Sequence, residues 1–121
     1  MLIRKLSQCT EIVAGDGTLL RELLHPDRDY TFTGRYSLAH ARLEPGKKSR
    51  PHRLTTSEVY YIMSGSGRMH IDDDSADVAP GDAFEISPGA TQWLENTNAE
   101  PLDFLCIVDP AWQPEQESVD D

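Results

Sequence analysis

His52, Leu54 and Glu58 fall on even positions of one stretch that ends in Gly65-Ser66-Gly67. Side chains alternate along an extended chain, so all three point to one side of it. That side carries an imidazole and a carboxylate. The run Val59-Tyr60-Tyr61-Ile62-Met63 is rich in residues that fit a pleated surface, and the glycine pair after it reads as a tight turn into a second strand.

The same punctuation recurs along the chain. Tyr36 to Leu43 reads as a strand closed by Pro45-Gly46, Arg68 to Ile71 as a strand closed by Asp72-Asp73-Asp74, and Ala83 to Ile86 as a strand entered from Pro80-Gly81. Gln92-Trp93-Leu94 and Leu102 to Val108 complete the set. Short strands separated by turn signals at this spacing argue for an all-β sandwich or barrel. The triple aspartate lacks the alternating pattern and closing glutamate of a calcium loop and is expected to be a hairpin turn.

The first stretch resembles the first motif of the cupin family, G-x5-H-x-H-x3-E-x6-G, with Gly46, His52, Glu58 and Gly65 in place and Leu54 where the family has its second histidine. The second motif, G-x5-P-x-G-x2-H-x3-N, is met at Gly81, Gly89 and Asn96; Pro88 stands one place late and Gln92 replaces the histidine. The resemblance implies a double-stranded β-helix, or jelly-roll barrel, over residues 36–108. It also implies a divalent ion inside the barrel, held here by His52, Glu58 and Gln92. Manganese, iron, zinc and nickel are candidates, as is no ion at all. Leu54 has no lone pair, which leaves one nitrogen and two oxygens, a poor donor set for a transition metal. Without a metal, Glu58 would have to be satisfied by hydrogen bonds, with the Gln92 amide serving its neighbours.

His40, His70, Tyr60 and Arg50 are further pocket candidates. Alternation alone does not decide whether His40, in line with Tyr36 and Leu38, faces inward. Lys47, Lys48, Arg50 and Arg53 crowd the approach to His52 and could attract an anionic substrate, although a solvated loop is the plainer account. His25, beside Pro26, is expected in a solvated loop. Cys106, inside Phe104-Leu105-Cys106-Ile107-Val108, is expected to be a small buried hydrophobe.

The 121 residues suffice for a single domain. Residues 1–34 form an arm, residues 36–108 the barrel and residues 113–121 an acidic tail expected to be disordered. Leu19, Leu20, Leu23 and Leu24 have helical spacing, but the run is short and stops at Pro26, so a strand is expected. Eleven basic against twenty-one acidic residues give a formal charge of −10, which disfavours nucleic acid and anionic lipid as partners. No secretory leader and no apolar run of membrane-spanning length is apparent, so a cytoplasmic protein is expected. The arm leucines have no evident place in a barrel already supplied with strands, and a homodimer is expected to cover them.

Two functions remain open. One is a small cupin that holds a divalent ion and acts on or binds a small polar molecule; the wording around His52 to Asp72 is similar to stand-alone cupins labelled mannose-6-phosphate-isomerase-like, which implies a sugar-related role. The other is a metal-free, non-enzymatic cupin module that binds a small ligand.

Overall fold

The computed structural model describes residues 1–120. Its strands, in chain order, are β1 (Ile12–Val13), β2 (Leu19–Leu24), β3 (Ser37–Leu43), β4 (His52–Leu54), β5 (Ser57–Ser64) and β6 (Gly67–Ile71). They continue as β7 (Asp74–Val78), β8 (Ala83–Ile86), β9 (Gln92–Glu95), β10 (Leu102–Asp109) and β11 (Glu117–Val119). Two sheets form, one in the order β1-β2-β3-β10-β5-β8 and the other in the order β11-β4-β9-β6-β7. Every pairing between named strands is antiparallel. This is the all-β architecture that the strand and turn pattern implies and the jelly roll that the family resemblance implies. Among the described residues no helix is long and apolar enough to cross a membrane.

Period-two alternation sorts side chains between the inside and the outside. Ala41 and Leu43 of β3, Tyr60 and Ile62 of β5, Met69 of β6, Leu94 of β9 and Leu102, Phe104 and Cys106 of β10 are buried in one apolar core between the sheets. Each large side chain fully buried there contributes about 1.5–3 kcal/mol. β10 is the spine of the larger sheet, with Cys106 opposite Ala39 on one side and Tyr60 on the other. The Gly65-Ser66-Gly67 turn has to be small: Gly65 has φ +75°, a Cβ on it would strike the Pro101 carbonyl, and one on Gly67 would strike the Glu95 carbonyl.

The arm forms the strand expected of it but in the barrel wall, and the tail departs from the expectation. Leu19–Leu24 is β2, hydrogen-bonded between β1 and β3, with Leu20 packed on the core. The leucines thus have a place in the barrel wall and do not require a partner to cover them. The exposed apolar residues lie elsewhere, at Met1, Leu2, Ile3, Ile12, Val13, Tyr36, Tyr61 and Met63.

The tail, expected to be disordered on its acidic composition, instead supplies β11. It pairs with β4 in the register Glu117↔Leu54, Ser118↔Arg53 and Val119↔His52. Arg53 neutralises part of its charge through Asp120, at 3.1 Å. An edge strand offers unpaired backbone groups, and a segment that satisfies them need not be apolar.

Candidate functional site

The motif strands deliver their side chains to one interior. His52, Leu54 and Glu58 are all buried, as their shared parity requires, and β4 pairs with β9 so that His52 stands opposite Gln92. Gln92 donates from Nε2 to Glu58 Oε1 at 2.9 Å and accepts at Oε1 from the Tyr60 hydroxyl, also at 2.9 Å. Gln92 is fully buried. Both ends of its amide are committed, which is the arrangement a buried carboxamide needs.

His52 is fixed from two directions. Its Nδ1 lies 2.8 Å from the Arg50 carbonyl oxygen, an acceptor only, so Nδ1 carries a proton. Its Nε2 lies 3.5 Å from Asp16 Oδ2. Asp16 arrives from the arm: Gly15-Asp16-Gly17 is the hairpin tip between β1 and β2, where Asp16 Oδ1 accepts from the Thr18 amide at 3.0 Å and the Thr18 hydroxyl at 2.8 Å. The Arg50 amide donates to the Asp16 carbonyl at 2.7 Å, which ties the tip to the barrel.

A cavity of about 550 Å3 opens on this group. His52, Glu58, Tyr60, Asp16 and Glu117 line it, with Phe104, Trp112 and Val108 among its apolar walls. Glu117 comes from β11, and its Oε2 accepts from Trp112 Nε1 at 3.3 Å. Burial pushes the Glu58 carboxyl up to about 8; the Gln92 hydrogen bond opposes this and the nearby Asp16 and Glu117 carboxyls add to it. At neutral pH Glu58 is therefore mostly a neutral acid. Burial also raises Glu117, against the Trp112 hydrogen bond and the attraction of His52. The Cys106 thiol is pushed up by burial and stays protonated, in keeping with a packing role.

Several candidates lie elsewhere. His40 faces outward, because its neighbour Ala41 faces in, and its Nε2 sits 3.2 Å from Asp103 Oδ1. Burial lowers the His40 pKa, and the Asp103 charge opposes that. His70 is likewise outward, since Met69 is inward, and it stacks on Trp93 with ring centroids 3.5 Å apart. Arg50 contributes its backbone to the site while its side chain is exposed. The basic cluster is dispersed: Arg53 pairs with Asp120 and Lys48 lies over the Trp93 ring. His25 is fully buried, with Nε2 2.8 Å from the Trp112 carbonyl and Nδ1 accepting from the Asp27 amide. It is a structural pin between arm and tail.

Asp16, Thr18, Trp112 and Glu117 escaped the sequence reading. Asp16 alone left a trace, since aspartate in a turn commonly accepts from the backbone two residues on. Nothing in the sequence marks Glu117, whose place depends on β11 pairing with β4.

The donor set does not fit a first-row divalent ion. Leu54 has nothing to donate, the Gln92 oxygen is engaged by Tyr60, and Glu58, with one oxygen accepting from Gln92, is kept mostly neutral by burial. Among the described residues no three His, Cys, Asp or Glu side chains are grouped so as to hold an ion. Of the four motif positions, His52 Nε2 is the one strong donor left.

Comparison with known proteins places this geometry. The cupin domain pattern matches residues 39–108. An uncharacterised protein of Methanocaldococcus jannaschii is 35% identical over 109 residues, covering 88% of this chain and 85% of that protein. An oxalate-binding protein of Thermotoga maritima is 30% identical over 71 residues, covering 58% of this chain and 59% of that one. The crystal structure of a cupin 2 conserved barrel domain protein from Salinispora arenicola superposes with a TM-score of 0.79 at 18% identity, over 96% of this chain and 92% of that one. With two motifs, a jelly roll and a family match across more than half its length, the chain belongs to the cupin family.

Proposed function

We propose that this chain is a small-ligand-binding cupin whose barrel works without a metal ion. One observation carries the reading: the Tyr60-Gln92-Glu58 relay engages the Gln92 oxygen and one Glu58 oxygen, which would otherwise be offered to an ion. A buried carboxyl without metal or partner would be costly; the relay offsets part of that cost, and staying protonated avoids the rest. The ligand enters the cavity of about 550 Å3, where acceptor oxygens of Asp16, Glu58 and Glu117 meet apolar and aromatic walls. A molecule that brings hydrogen-bond donors to that end suits it. Hydroxyl groups qualify, so a sugar-related ligand remains within the proposal. Oxalate, named for the Thermotoga relative, is not carried across, because an anion would meet carboxyl groups here.

Two copies are proposed to pair through the N-terminal arm, where Met1, Leu2, Ile3, Ile12 and Val13 are exposed. The unpaired thiols of Cys9 and Cys106 suit a reducing compartment, and a cytoplasmic setting is part of the proposal.

The test is elemental analysis of protein purified without added chelator. Far less than one equivalent of any first-row metal is expected. One equivalent, retained through dialysis and lost on Glu58→Gln, would overturn the metal-free reading.

A further inference from the structure

We infer that a groove on the outer face of the larger sheet is a second small-ligand site, one that takes a carboxylate on Arg21. The groove holds about 330 Å3 and shares no lining residue with the barrel cavity. Neighbouring strands bring its polar groups together. Arg21 of β2 stands opposite His40 of β3, and Arg42 of β3 stands opposite Asp103 of β10. Ala41 and Leu43 point into the core, so His40 and Arg42 share the outward face.

The groove already contains one bound carboxylate, that of Asp103. Arg42 donates to it from Nε at 2.8 Å and from Nη2 at 3.2 Å, one bond to each oxygen. The Ser64 hydroxyl adds a third bond at 3.1 Å. This two-point grip is the arrangement in which a guanidinium fork matches a carboxylate best.

Arg21 has the same fork with no carboxylate in it. Its Nε is buried and has no hydrogen-bond partner among the described residues. Its Nη2 lies 3.7 Å from Glu11 Oε2, beyond hydrogen-bond reach. A buried donor left unpaired costs free energy that an arriving acceptor would recover. The Arg21 side chain is 35% exposed and that of Glu11 43%, so a ligand gains the fork by moving an exposed side chain and not the sheet. Leu6 and Met63 give the groove apolar walls. A carboxylate on a small apolar body uses both features: its oxygens take Nε and Nη2 of Arg21, as Asp103 takes those of Arg42, and its body lies on the apolar walls. The chain's charge of −10 disfavours anions at long range, so affinity depends on this two-point contact rather than on steering.

Titration of the isotope-labelled full chain, followed by the Arg21 Nε–H resonance in nuclear magnetic resonance spectra, tests this. The resonance is assigned by its loss in Arg21→Lys. Three probes are compared at constant ionic strength: benzoate, its neutral counterpart benzamide, and inorganic phosphate. Benzoate is expected to move the resonance saturably and to bind at least about tenfold more tightly than either of the others. Glu11→Gln removes a competing carboxylate and is expected to tighten benzoate about threefold. Arg21→Lys keeps the charge and loses the fork; followed through the His40 and Met63 backbone amides, it is expected to bind benzoate about tenfold more weakly.

An unmoved Arg21 resonance would overturn the inference, as would benzoate shifts confined to Tyr60 and Trp112 in the barrel cavity. Benzamide binding as tightly as benzoate would mean an apolar groove without a carboxylate site. Phosphate binding more tightly would assign the site to a different anion. Wild-type affinity in Arg21→Lys would leave only a screened charge, and each of these three results also overturns the inference.

Discussion

Glu58 couples solution pH to the stability of the barrel. Its carboxyl is raised to about 8 in the folded chain, chiefly by burial, from an ordinary value of 4.5. A raised folded value means the contribution is fully present below the unfolded value and is lost as pH climbs through the folded one. Between those limits the wild type should lose stability on the order of a few kcal/mol. Glu58→Gln stays neutral at every pH and still offers an oxygen to Gln92 Nε2. Its urea midpoint should therefore change less than that of the wild type between about pH 5 and about pH 9. Parallel pH profiles for the two proteins would show that Glu58 is ionised and solvated in the folded state.

The element that most changes the site is β11. Its register against β4 carries Glu117 to the cavity, and it is reinforced by the Thr55 amide donating to the Gln116 carbonyl at 3.0 Å and the Asp120 amide donating to the Pro51 carbonyl at 2.9 Å. Removing residues 114–121 should lower unfolding free energy by about 1–3 kcal/mol in urea titration. An unchanged stability would mean that the tail adds nothing to the barrel. The strand also marks where the sequence stopped being legible. β5, β6, β8, β9 and β10 were readable because alternation and glycine turns are local signals. The shared inward face of His52 and Glu58 was readable because parity is local too. β11 was not, since composition says nothing about a distant edge that a polar segment can complete. β7 was likewise passed over, with Asp74 to Ala76 exposed and little apolar pattern to mark it. The orientations of His40 and His70 had to wait for the neighbours that fill the core. Asp16 and Glu117 joined His52 through contacts spanning the whole chain.

At the scale of the molecule, arm and tail meet at His52: the arm tip brings Asp16 within 3.5 Å of it, and β11 pairs with it through Val119. The apolar residues left outside, Ile12 and Val13 on the short edge strand β1 and Met1 to Ile3 before it, form the surface proposed for pairing. Sedimentation equilibrium at micromolar concentration should give a dimer, and Val13→Lys should shift it toward monomer; a wild-type monomer would refute the pairing. The proposed metal-free site puts a hydrogen-bonded relay where a metal centre would be built. Metal content of the wild type, read beside a Leu54→His, Gln92→His double variant purified in the same way, tests it most directly. The wild type should carry far less than one equivalent of manganese, iron, zinc or nickel. The variant should gain metal, because both changes place nitrogen donors on the inward face beside His52. Stoichiometric metal in the wild type, with no gain in the variant, would contradict the account.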